Sequence, residues 1–286
     1  MTALALNNAL KSLLSRAGAE NPDGDALCII ESLLGYTRVD LVTRGDTEVD
    51  SEIAEKAIEL ARRRASGEPI QYVIGSWSFM GRDYLVGGGV LIPRDDTEVV
   101  TQAALDLLKP LPHPAVLDLC AGSGIIGITM KKQYPGATVY AVEKSNTAFD
   151  YLSRNCEKNE ADVRLIHADL CDCTDTFADG SLDLIISNPP YIRSAEIDTL
   201  QREVQYEPRM ALDGGENGFD FYSAIIRLWS RKLKNGGYLA FELGENQYET
   251  VADMLKSNGF DNICGYRDIA GTMRAITARK IFQKEK

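Results

Sequence analysis

The chain has 286 residues, of which 44% are hydrophobic and 26% are charged. This composition supports a buried core and excludes intrinsic disorder as the main state. The 31 lysines and arginines against 42 aspartates and glutamates give a formal net charge of −11 at pH 7. Such an acidic chain is poorly suited to gripping nucleic acid, whose phosphates require a basic face. No apolar run approaches the roughly 18 residues of a membrane-spanning helix, so a membrane protein is not expected.

No metal site is expected. Neither a CxxC pair nor a Cys/His cluster with zinc-like spacing occurs among the six cysteines, which are Cys28, Cys120, Cys156, Cys171, Cys173 and Cys264. Free thiols point to a reducing compartment, and the start of the chain lacks the features of a secretory signal. We therefore predict a cytoplasmic protein. No feature indicates a second copy of the chain, and a monomer is the expectation.

Residues 1–66 are predicted to form a small helical bundle, because apolar residues recur at helical spacing in three stretches. Gly18 and Gly35 end the first two stretches, and Asp50 or Ser51 begins the third. The apolar faces carry Leu6, Leu10, Leu13 and Leu14, then Ala26, Leu27, Ile30, Leu33 and Leu34, and then Ile53, Ala54, Ala57, Ile58 and Ala61. The arginines at 62–64 are interpreted as a solvated helix end, where basic residues suit the helix dipole.

Residues 67–92 are predicted to be a linker that contains a β-hairpin. After Gly67-Glu68-Pro69 the pattern becomes strand-like at Tyr72–Ile74, at Trp77–Phe79 and at Tyr84–Val86, with a turn near residues 81–83. The three consecutive glycines at 87–89 indicate a bulge or a flexible hinge.

From residue 93 to residue 286 strands and helices alternate. Apolar strands are predicted at 115–119, 138–142, 163–167, 182–187 and 237–243, with two more near 262–266 and 274–279. Regular alternation of apolar strands with helices is typical of α/β proteins with a mostly parallel, doubly wound sheet covered on both faces. The sequence therefore predicts a Rossmann-like domain over 93–286.

The first of these strands leads into a glycine-rich turn that indicates a nucleotide site. The segment Asp118-Leu119-Cys120-Ala121-Gly122-Ser123-Gly124 lets the backbone approach a ligand closely. The second strand leads to Glu143, whose carboxylate can accept hydrogen bonds from both ribose hydroxyls of an adenine nucleoside. Because Gly122, Gly124 and Gly127 also satisfy GxGxxG, this feature alone leaves a nicotinamide-dependent dehydrogenase open.

A third acidic residue follows the next strand. Asp169 is placed to accept the hydrogens of an adenine amino group, and Leu170 to lie against the ring. The alternative is an aspartate that only caps the following turn. His167 and His113 are the only histidines, and they indicate no acid–base pair.

The fourth strand is followed by Asn188-Pro189-Pro190-Tyr191, at the sheet edge where ligands bind in doubly wound folds. Each proline fixes its own φ and forces the preceding residue into an extended conformation, so this backbone is stiff. The side-chain oxygen of Asn188 and the carbonyl of Pro189 can together accept both hydrogens of one planar NH2 group. Tyr191 offers a flat face for stacking.

This arrangement suits methyl transfer to an amide or exocyclic amine. Such a nitrogen is a poor nucleophile because its lone pair is delocalised, and two hydrogen-bond acceptors can localise that lone pair and aim it at a sulfonium methyl. No general base is needed beforehand, since the proton can leave after transfer.

Over nearly its whole length the sequence resembles the HemK/PrmC family, the glutamine N5-methyltransferases that modify class I peptide chain release factors. The resemblance lies in residues 67–75 with Phe79, Leu91-Ile92-Pro93-Arg94-Asp95-Asp96-Thr97-Glu98, Asn188-Pro189-Pro190-Tyr191-Ile192, Glu207-Pro208 with residues 211–215, and Asp268-Ile269-Ala270-Gly271 with Arg274. Asparagine-proline-proline-tyrosine alone is shared with adenine DNA methyltransferases, whereas its combination with residues 91–98 is more specific. Three positions depart from the family pattern: Asp95 replaces a proline, Cys120 a frequent glycine and Leu170 a frequently aromatic residue.

The resemblance implies a seven-stranded class I methyltransferase domain after a helical substrate-docking domain, with S-adenosylmethionine as methyl donor. It further implies that the acceptor is the glutamine of the Gly-Gly-Gln motif in class I release factors, with no direct contact to nucleic acid. By motif, cofactor-binding positions fall on Cys120, Ala121, Gly122, Ser123, Gly124, Glu143, Asp169, Leu170 and Asn188. Acceptor-binding positions fall on Asn188, Pro189, Pro190 and Tyr191, of which Asn188 and Pro189 are the candidate catalytic residues.

Three alternatives remain at this point. One is a methyltransferase acting on a glutamine of a ribosomal protein, and another is a DNA adenine methyltransferase, which the charge of −11 disfavours. The third is a cofactor-binding module without catalysis, against which the intact tetrapeptide at 188–191 argues.

Overall fold

Five helices form the first part of the chain: α1 (Ala3–Arg16), α2 (Pro22–Leu34), α3 (Arg38–Arg44), α4 (Ser51–Ala65) and α5 (Ile70–Ile74). Local sequence explains where they begin. The side chains of Thr2 and Asn21 cap α1 and α2, Pro22 occupies the first turn of α2, and Thr37 and Asp40 form a capping box at α3. Their apolar faces enclose a core of 13 buried residues, among them Leu6, Leu10, Ile29 and Ile30.

The computed structural model describes residues 1–281, so the last five residues of the predicted range 93–286 lie outside the described part. The described chain divides into two compact units. The first comprises Met1–Ser76 and Gln201–Tyr206, and the second comprises Trp77–Leu200 and the residues from Glu207 onward.

Two sequence interpretations of the first unit are wrong. Tyr72–Ile74 is helical, not a strand, because Ile70 and Val73 of α5 join the apolar core; periodicity cannot distinguish so short an apolar run. The arginines at the end of α4 are not all solvated. Arg64 is 6% exposed, its Nε lies 2.8 Å from Asp25 Oδ2, and its guanidinium also binds Glu203. Burial requires such pairing.

The predicted hairpin is present, as β1 (Ser76–Phe79) and β2 (Arg82–Leu85). Its turn is Met80-Gly81, both at positive φ, which matches the twist of a two-residue hairpin turn.

The second unit contains a seven-stranded sheet with the order β5-β4-β3-β6-β7-β9-β8. Its strands are β3 (Ala115–Leu119), β4 (Thr138–Glu143), β5 (Val163–His167), β6 (Leu182–Ser187), β7 (Leu233–Glu242), β8 (Phe260–Arg267) and β9 (Met273–Lys280). The first five are parallel, and β9 runs antiparallel between β7 and β8. The predicted fold class is confirmed.

Helices cover both faces of this sheet. They are α6 (Asp96–Leu108), α7 (Ile125–Gln133), α8 (Asn146–Lys158), α9 (Arg209–Leu212), α10 (Asp220–Trp229) and α11 (Tyr248–Ser257). One core contains Tyr84 and Leu108, and the other contains Tyr222, Trp229 and Phe241, all fully buried. Within the described residues no helix is both long and apolar enough to cross a membrane.

Two of the three glycines at 87–89 allow the backbone of this segment to lie close to helix α8. A Cβ on Gly87 would lie 2.2 Å from the Tyr151 hydroxyl of α8, and one on Gly89 would lie 2.6 Å from Thr147 Cγ2. Gly89 also has a φ of +96°, which disfavours other residues. These glycines let the segment after the hairpin lie directly against α8.

Candidate active site

The loops after β3, β4, β5 and β6 meet at the carboxyl edge of the sheet. The strand order changes direction at β3, and the last residues of β3 and β6, Leu119 and Ser187, are in register. Ligands bind at such switch points in doubly wound sheets. The loops surround a cavity of about 520 Å³, within the size range of small-molecule and cofactor sites.

Most residues that the sequence assigns to the site line this cavity. They are Cys120, Ala121, Gly122, Ser123, Glu143, Asp169, Leu170, Asn188 and Pro190. Gly124, Pro189 and Tyr191 belong to the same loops without lining it. The sequence interpretation missed several lining residues, including Gly89, Val90, Thr97, Met210 and Phe221. Of these residues, only Thr97 lies in a motif that the sequence analysis connected with function, the family signature at residues 91–98.

The glycine-rich turn adopts a left-handed backbone at three positions: φ is +61° at Cys120, +56° at Gly122 and +86° at Gly124. Cys120 therefore keeps the conformation that a glycine would favour, at a cost of about 1–2 kcal/mol for a residue with a Cβ. Ala121 anchors the turn by donating its N–H to the Val142 carbonyl at 3.0 Å. A cysteine at residue 120, where the family pattern has a frequent glycine, is therefore compatible with a left-handed backbone at this position.

Asp118 supports the helix that follows this turn. Its Oδ2 accepts the Gly127 N–H at 2.9 Å, while Oδ1 is buried without a hydrogen-bond partner among the described residues. A Cβ on Gly127 would lie 3.1 Å from Oδ2, so a glycine permits this close contact. Burial is the main cause that raises the pKa of Asp118 to about 8; the hydrogen bond from Gly127 opposes this rise, and the nearby Glu143 adds to it.

We expect Asp118→Asn to change the pH dependence of stability. The Asp118 carboxyl of the folded wild type holds its proton up to about pH 8, whereas the unfolded chain releases it near the ordinary aspartate pKa of 3.8. The stability contributed by this group is complete below that value and is lost as pH rises toward 8. The neutral amide keeps an oxygen for Gly127 without this loss. Urea unfolding should show the variant gaining stability relative to wild type as pH rises from about 4 to about 8, and parallel pH profiles would contradict the expectation.

Glu143 is held by two backbone donors. Gly122 donates to Oε2 at 2.8 Å and Ser145 donates to Oε1 at 2.7 Å. Because each carboxylate oxygen has two lone pairs, both oxygens keep capacity for one further donor. The carboxylate lines the cavity with a fixed orientation, as binding of two neighbouring hydroxyls requires.

Asp169 forms the next polar group on the cavity wall. Its Oδ2 lies 2.8 Å from Lys144 Nζ and its Oδ1 accepts the Cys171 N–H at 2.8 Å. The hydrogen bond from Lys144 lowers the pKa of this carboxyl, followed by the bond from Cys171. Asp169 therefore caps the following turn. Its carboxylate also lines the cavity and can accept a further hydrogen bond. Leu170 lies beside it at 5% exposure, and its carbonyl accepts the indole N–H of Trp229.

Asn188 and Pro189 carry the acceptor atoms that the sequence predicts. Asn188 donates through Nδ2 to Thr97 Oγ1 at 3.2 Å, which turns its Oδ1 away from Thr97. Among residues 1–281, no donor is hydrogen-bonded to Asn188 Oδ1 or to the Pro189 carbonyl. Two unused acceptors therefore lie on consecutive residues, of which Asn188 lines the cavity.

Tyr191, the last residue of the tetrapeptide, is held in place by two hydrogen bonds. Its hydroxyl donates to Glu242 Oε1 at 3.2 Å, and its carbonyl accepts the Gln247 side-chain amide at 3.0 Å. Two glycines leave room for the ring and backbone, since a Cβ on Gly218 would lie 2.5 Å from the Tyr191 carbonyl oxygen and one on Gly244 would lie 2.9 Å from its ring. The structure uses Tyr191 as a support, and its stacking role stays a prediction.

A buried carboxylate joins two further segments that line the cavity, one around Ile92 and one around Met210. Glu207 is 4% exposed, accepts the Ile92 N–H at 2.9 Å and binds the Arg94 guanidinium. Burial raises the pKa of Glu207, and Arg94 opposes that effect. This contact joins residues 92–94 to the segment carrying Met210, although Arg94 and Glu207 are 113 positions apart in the sequence.

Comparison with known proteins agrees with this geometry. Residues 5–75 match the model of the PrmC N-terminal domain, and residues 94–217 match that of the methyltransferase small domain. A release factor glutamine methyltransferase of Geobacter sulfurreducens is 40% identical over 94% of this chain and 93% of its own length. The chain belongs to the release factor glutamine methyltransferase family.

Other matches agree with this membership. The family enzyme of Clostridium botulinum is 34% identical over 94% of this chain and 95% of its own length. A methyltransferase from Pyrococcus furiosus shares the fold, with a TM-score of 0.52 at 18% identity, over 72% of this chain and 92% of that one. The chain is thus an S-adenosylmethionine-dependent methyltransferase. The cavity fits that donor, because it offers a left-handed glycine turn and two oriented carboxylates on one wall.

Proposed function

We propose that this enzyme methylates the side-chain nitrogen, N5, of the glutamine in the Gly-Gly-Gln motif of class I peptide chain release factors. The observation that carries the proposal is the pair of unused acceptors on consecutive residues, Asn188 Oδ1 and the Pro189 carbonyl, in the loop whose Asn188 and Pro190 line the cavity. The relatives that match the chain over nearly its full length are named release factor glutamine methyltransferases, which supports the proposal.

The chain's own residues would act by orientation. S-adenosylmethionine supplies an electrophilic methyl group when bound. Glu143 would hold the ribose hydroxyls, Asp169 the adenine amino group, and the turn at 120–124 would let the backbone approach. Asn188 and Pro189 would accept the two amide hydrogens of the glutamine, which localises the nitrogen lone pair and directs it toward the methyl group. The nitrogen can lose its proton after transfer, so no side-chain base is required.

The activity can be tested by transfer of labelled methyl from S-adenosylmethionine to a purified, unmodified release factor. The matched control is the same release factor with the glutamine of Gly-Gly-Gln replaced by alanine. Label on the first protein and none on the second is the expected result. Label on both would indicate another acceptor residue, and label on neither would favour a ribosomal-protein glutamine, DNA adenine or a module without catalysis. The proposal places the enzyme in the cytoplasm, acting as a monomer without direct contact to nucleic acid.

We also propose that the first unit docks the release factor. Helix α3 exposes two apolar side chains, Val39 at 69% and Val42 at 82%, which is a composition suited to a protein contact. Point substitutions test this better than truncation, because Arg64 binds Glu203 and the Ser66 carbonyl binds Arg202 inside this unit.

We expect the double substitution Val39→Glu and Val42→Glu to raise KM for an intact release factor about tenfold. Loss of about 1.4 kcal/mol of apolar contact corresponds to that factor. A short Gly-Gly-Gln peptide reaches only the cavity, so its kinetic constants should stay unchanged and serve as the control. Equal changes for protein and peptide, or no change for either, would remove α3 from the docking surface.

A further inference from the structure

The position of the Pro189 carbonyl depends on the residues on either side of it. Residues 189 and 190 are prolines and carry no N–H, so this stretch of backbone has no donors of its own with which to anchor itself. On the upstream side, Ser187 ends β6 and its hydroxyl donates to the Leu119 carbonyl at 2.6 Å. On the downstream side, the chain must be fixed at Tyr191 or just after it.

The side-chain amide of Gln247 fixes this downstream side. Gln247 directly precedes α11, is 8% exposed and lies outside the cavity lining. Its Nε2 donates to the Tyr191 carbonyl at 3.0 Å and to the Gly218 carbonyl at 3.3 Å. The amide therefore ties the end of the tetrapeptide to a loop 27 positions further along the chain.

The oxygen of the same amide is also held. Oε1 of Gln247 accepts the Gly244 N–H at 3.0 Å and the Tyr222 hydroxyl at 3.0 Å. An amide has two hydrogens and two lone pairs on its oxygen, and these four contacts use all of them. A backbone N–H only donates and a backbone carbonyl only accepts, so an amide turned by 180° would oppose like groups on both sides. The network therefore permits one orientation of the Gln247 side chain.

Three glycines leave room for this contact. A Cβ on Gly218 would lie 3.0 Å from Gln247 Nε2, and one on Gly244 would lie 2.8 Å from its Oε1. A Cβ on Gly214 would lie 2.7 Å from the Tyr191 Cα. Three backbone segments thus approach the contact between Gln247 and Tyr191 more closely than larger residues would allow.

The residue after the tetrapeptide completes the anchor. Ile192 donates its N–H to the Leu212 carbonyl at 2.9 Å, and its carbonyl accepts the Gly214 N–H at 2.8 Å. The peptide unit between Tyr191 and Ile192 is therefore bonded at both of its polar groups, to Gln247 through the carbonyl and to Leu212 through the N–H. Loss of the bond from Gln247 would free one of these two groups.

We propose that Gln247 is a positioning residue for methyl transfer, which fixes the tetrapeptide at 188–191 so that the Pro189 carbonyl faces the acceptor amide. The kinetic consequence rests on the proposed function, whereas the effect on the loop can be observed without any acceptor. Gln247 acts through the backbone of Tyr191 and transfers no proton. A displacement of about 1 Å at a reacting group can cost roughly 100-fold in rate, so a remote anchor of this kind can control turnover.

The first test observes the loop by NMR in the full chain, without donor or acceptor. Gln247→Glu keeps the shape of the side chain and an oxygen for Gly244, but its carboxyl carries at most one hydrogen where the amide carries two. The backbone amide signal of Ile192 and the side-chain NH2 signal of Asn188 should shift. The amide signals of Gly122 and Ser145, which hold Glu143, should stay in place.

Unmoved signals at residues 188 and 192 would overturn the inference, whether or not release factors are the acceptor. Shifts that extend equally to residues 122 and 145 would show a general structural role and would overturn it as well. Gln247→Met, which adds no charge to the interior, is the second variant and should give the same local pattern.

The second test separates positioning from binding and folding. Gln247→Glu and Gln247→Met should each lower kcat about tenfold, while Kd for S-adenosylmethionine and KM for the intact release factor change little. Tyr222→Phe removes one of the two contacts to Gln247 Oε1 and should cause a smaller loss of kcat. The matched control is Tyr84→Phe, which removes the hydroxyl of another fully buried tyrosine, bonded to Thr129 at 2.8 Å outside the cavity lining, and should keep kcat.

The outcomes distinguish this inference from the proposed function. A wild-type kcat in both Gln247 variants, where the wild type methylates its acceptor, would refute the positioning role and leave the proposed function intact. A parallel loss of kcat and of affinity for S-adenosylmethionine would assign Gln247 to the general fold and refute the positioning role too. Absence of methylation by the wild type would contradict the proposed function, and the NMR comparison would still decide the role of Gln247.

Discussion

Replacement of Asn188 by alanine should lower kcat about 10²- to 10³-fold, with little effect on Kd for S-adenosylmethionine. The substitution removes one of the two acceptors that we propose to localise the lone pair of the glutamine nitrogen, and loss of one oriented polar group of this kind typically costs a factor of that size. The Pro189 carbonyl remains, so activity falls without vanishing. The part of the cavity lining formed by Glu143 and Asp169, which we propose to bind the cofactor, stays intact.

The measurement is a single-turnover rate at saturating donor and acceptor, together with calorimetric titration of the donor. Asn159→Ala is a suitable control, because Asn159 also donates its side-chain amide, to the carbonyls of Asp83 and Asn155, but lies outside the cavity lining. A wild-type rate for Asn188→Ala would show that the mechanism proposed for this loop is wrong. A large loss in the control would show that the assay reports on folding.

Replacement of Glu143 by alanine should raise Kd for S-adenosylmethionine about 100-fold. The carboxylate would form two charge-assisted hydrogen bonds to the ribose, each contributing about 1.5–3 kcal/mol, and a loss of about 3 kcal/mol corresponds to that factor. The same substitution removes the acceptors for Gly122 and Ser145 N–H, so the turn also loses part of its organisation.

Calorimetry measures this effect, and Glu143→Gln is the informative companion. The amide keeps one acceptor oxygen and should lose less affinity than alanine does. Thermal unfolding of both variants shows whether the turn, rather than the ligand contact, is responsible. An unchanged Kd for Glu143→Ala would remove this residue from the ribose-binding role. Together, Glu143→Ala and Asn188→Ala distinguish residues needed to bind the methyl donor from residues needed for reaction with the acceptor.

Elements and residues that depend on local causes can be predicted from the amino-acid sequence. Strands β3, β5 and β6 lie at the predicted residues because each is a short apolar run bounded by turn-forming residues. The glycine turn and the tetrapeptide at 188–191 were also predictable, because glycine widens and proline restricts the backbone conformations available at their own positions. Parallel strands then bring both loops to one edge of the sheet.

The tertiary structure alone decided the contacts between residues that are distant along the chain. Asn188 meets Thr97 across 91 positions and Arg94 meets Glu207 across 113, and no local pattern encodes such pairings. Helix α5 replaced a predicted strand because burial of Ile70 and Val73 outweighed local preference. Tyr191 likewise became a support because Glu242 lies below it. Side-chain roles that depend on burial and on a distant partner emerge only when the sheet has assembled.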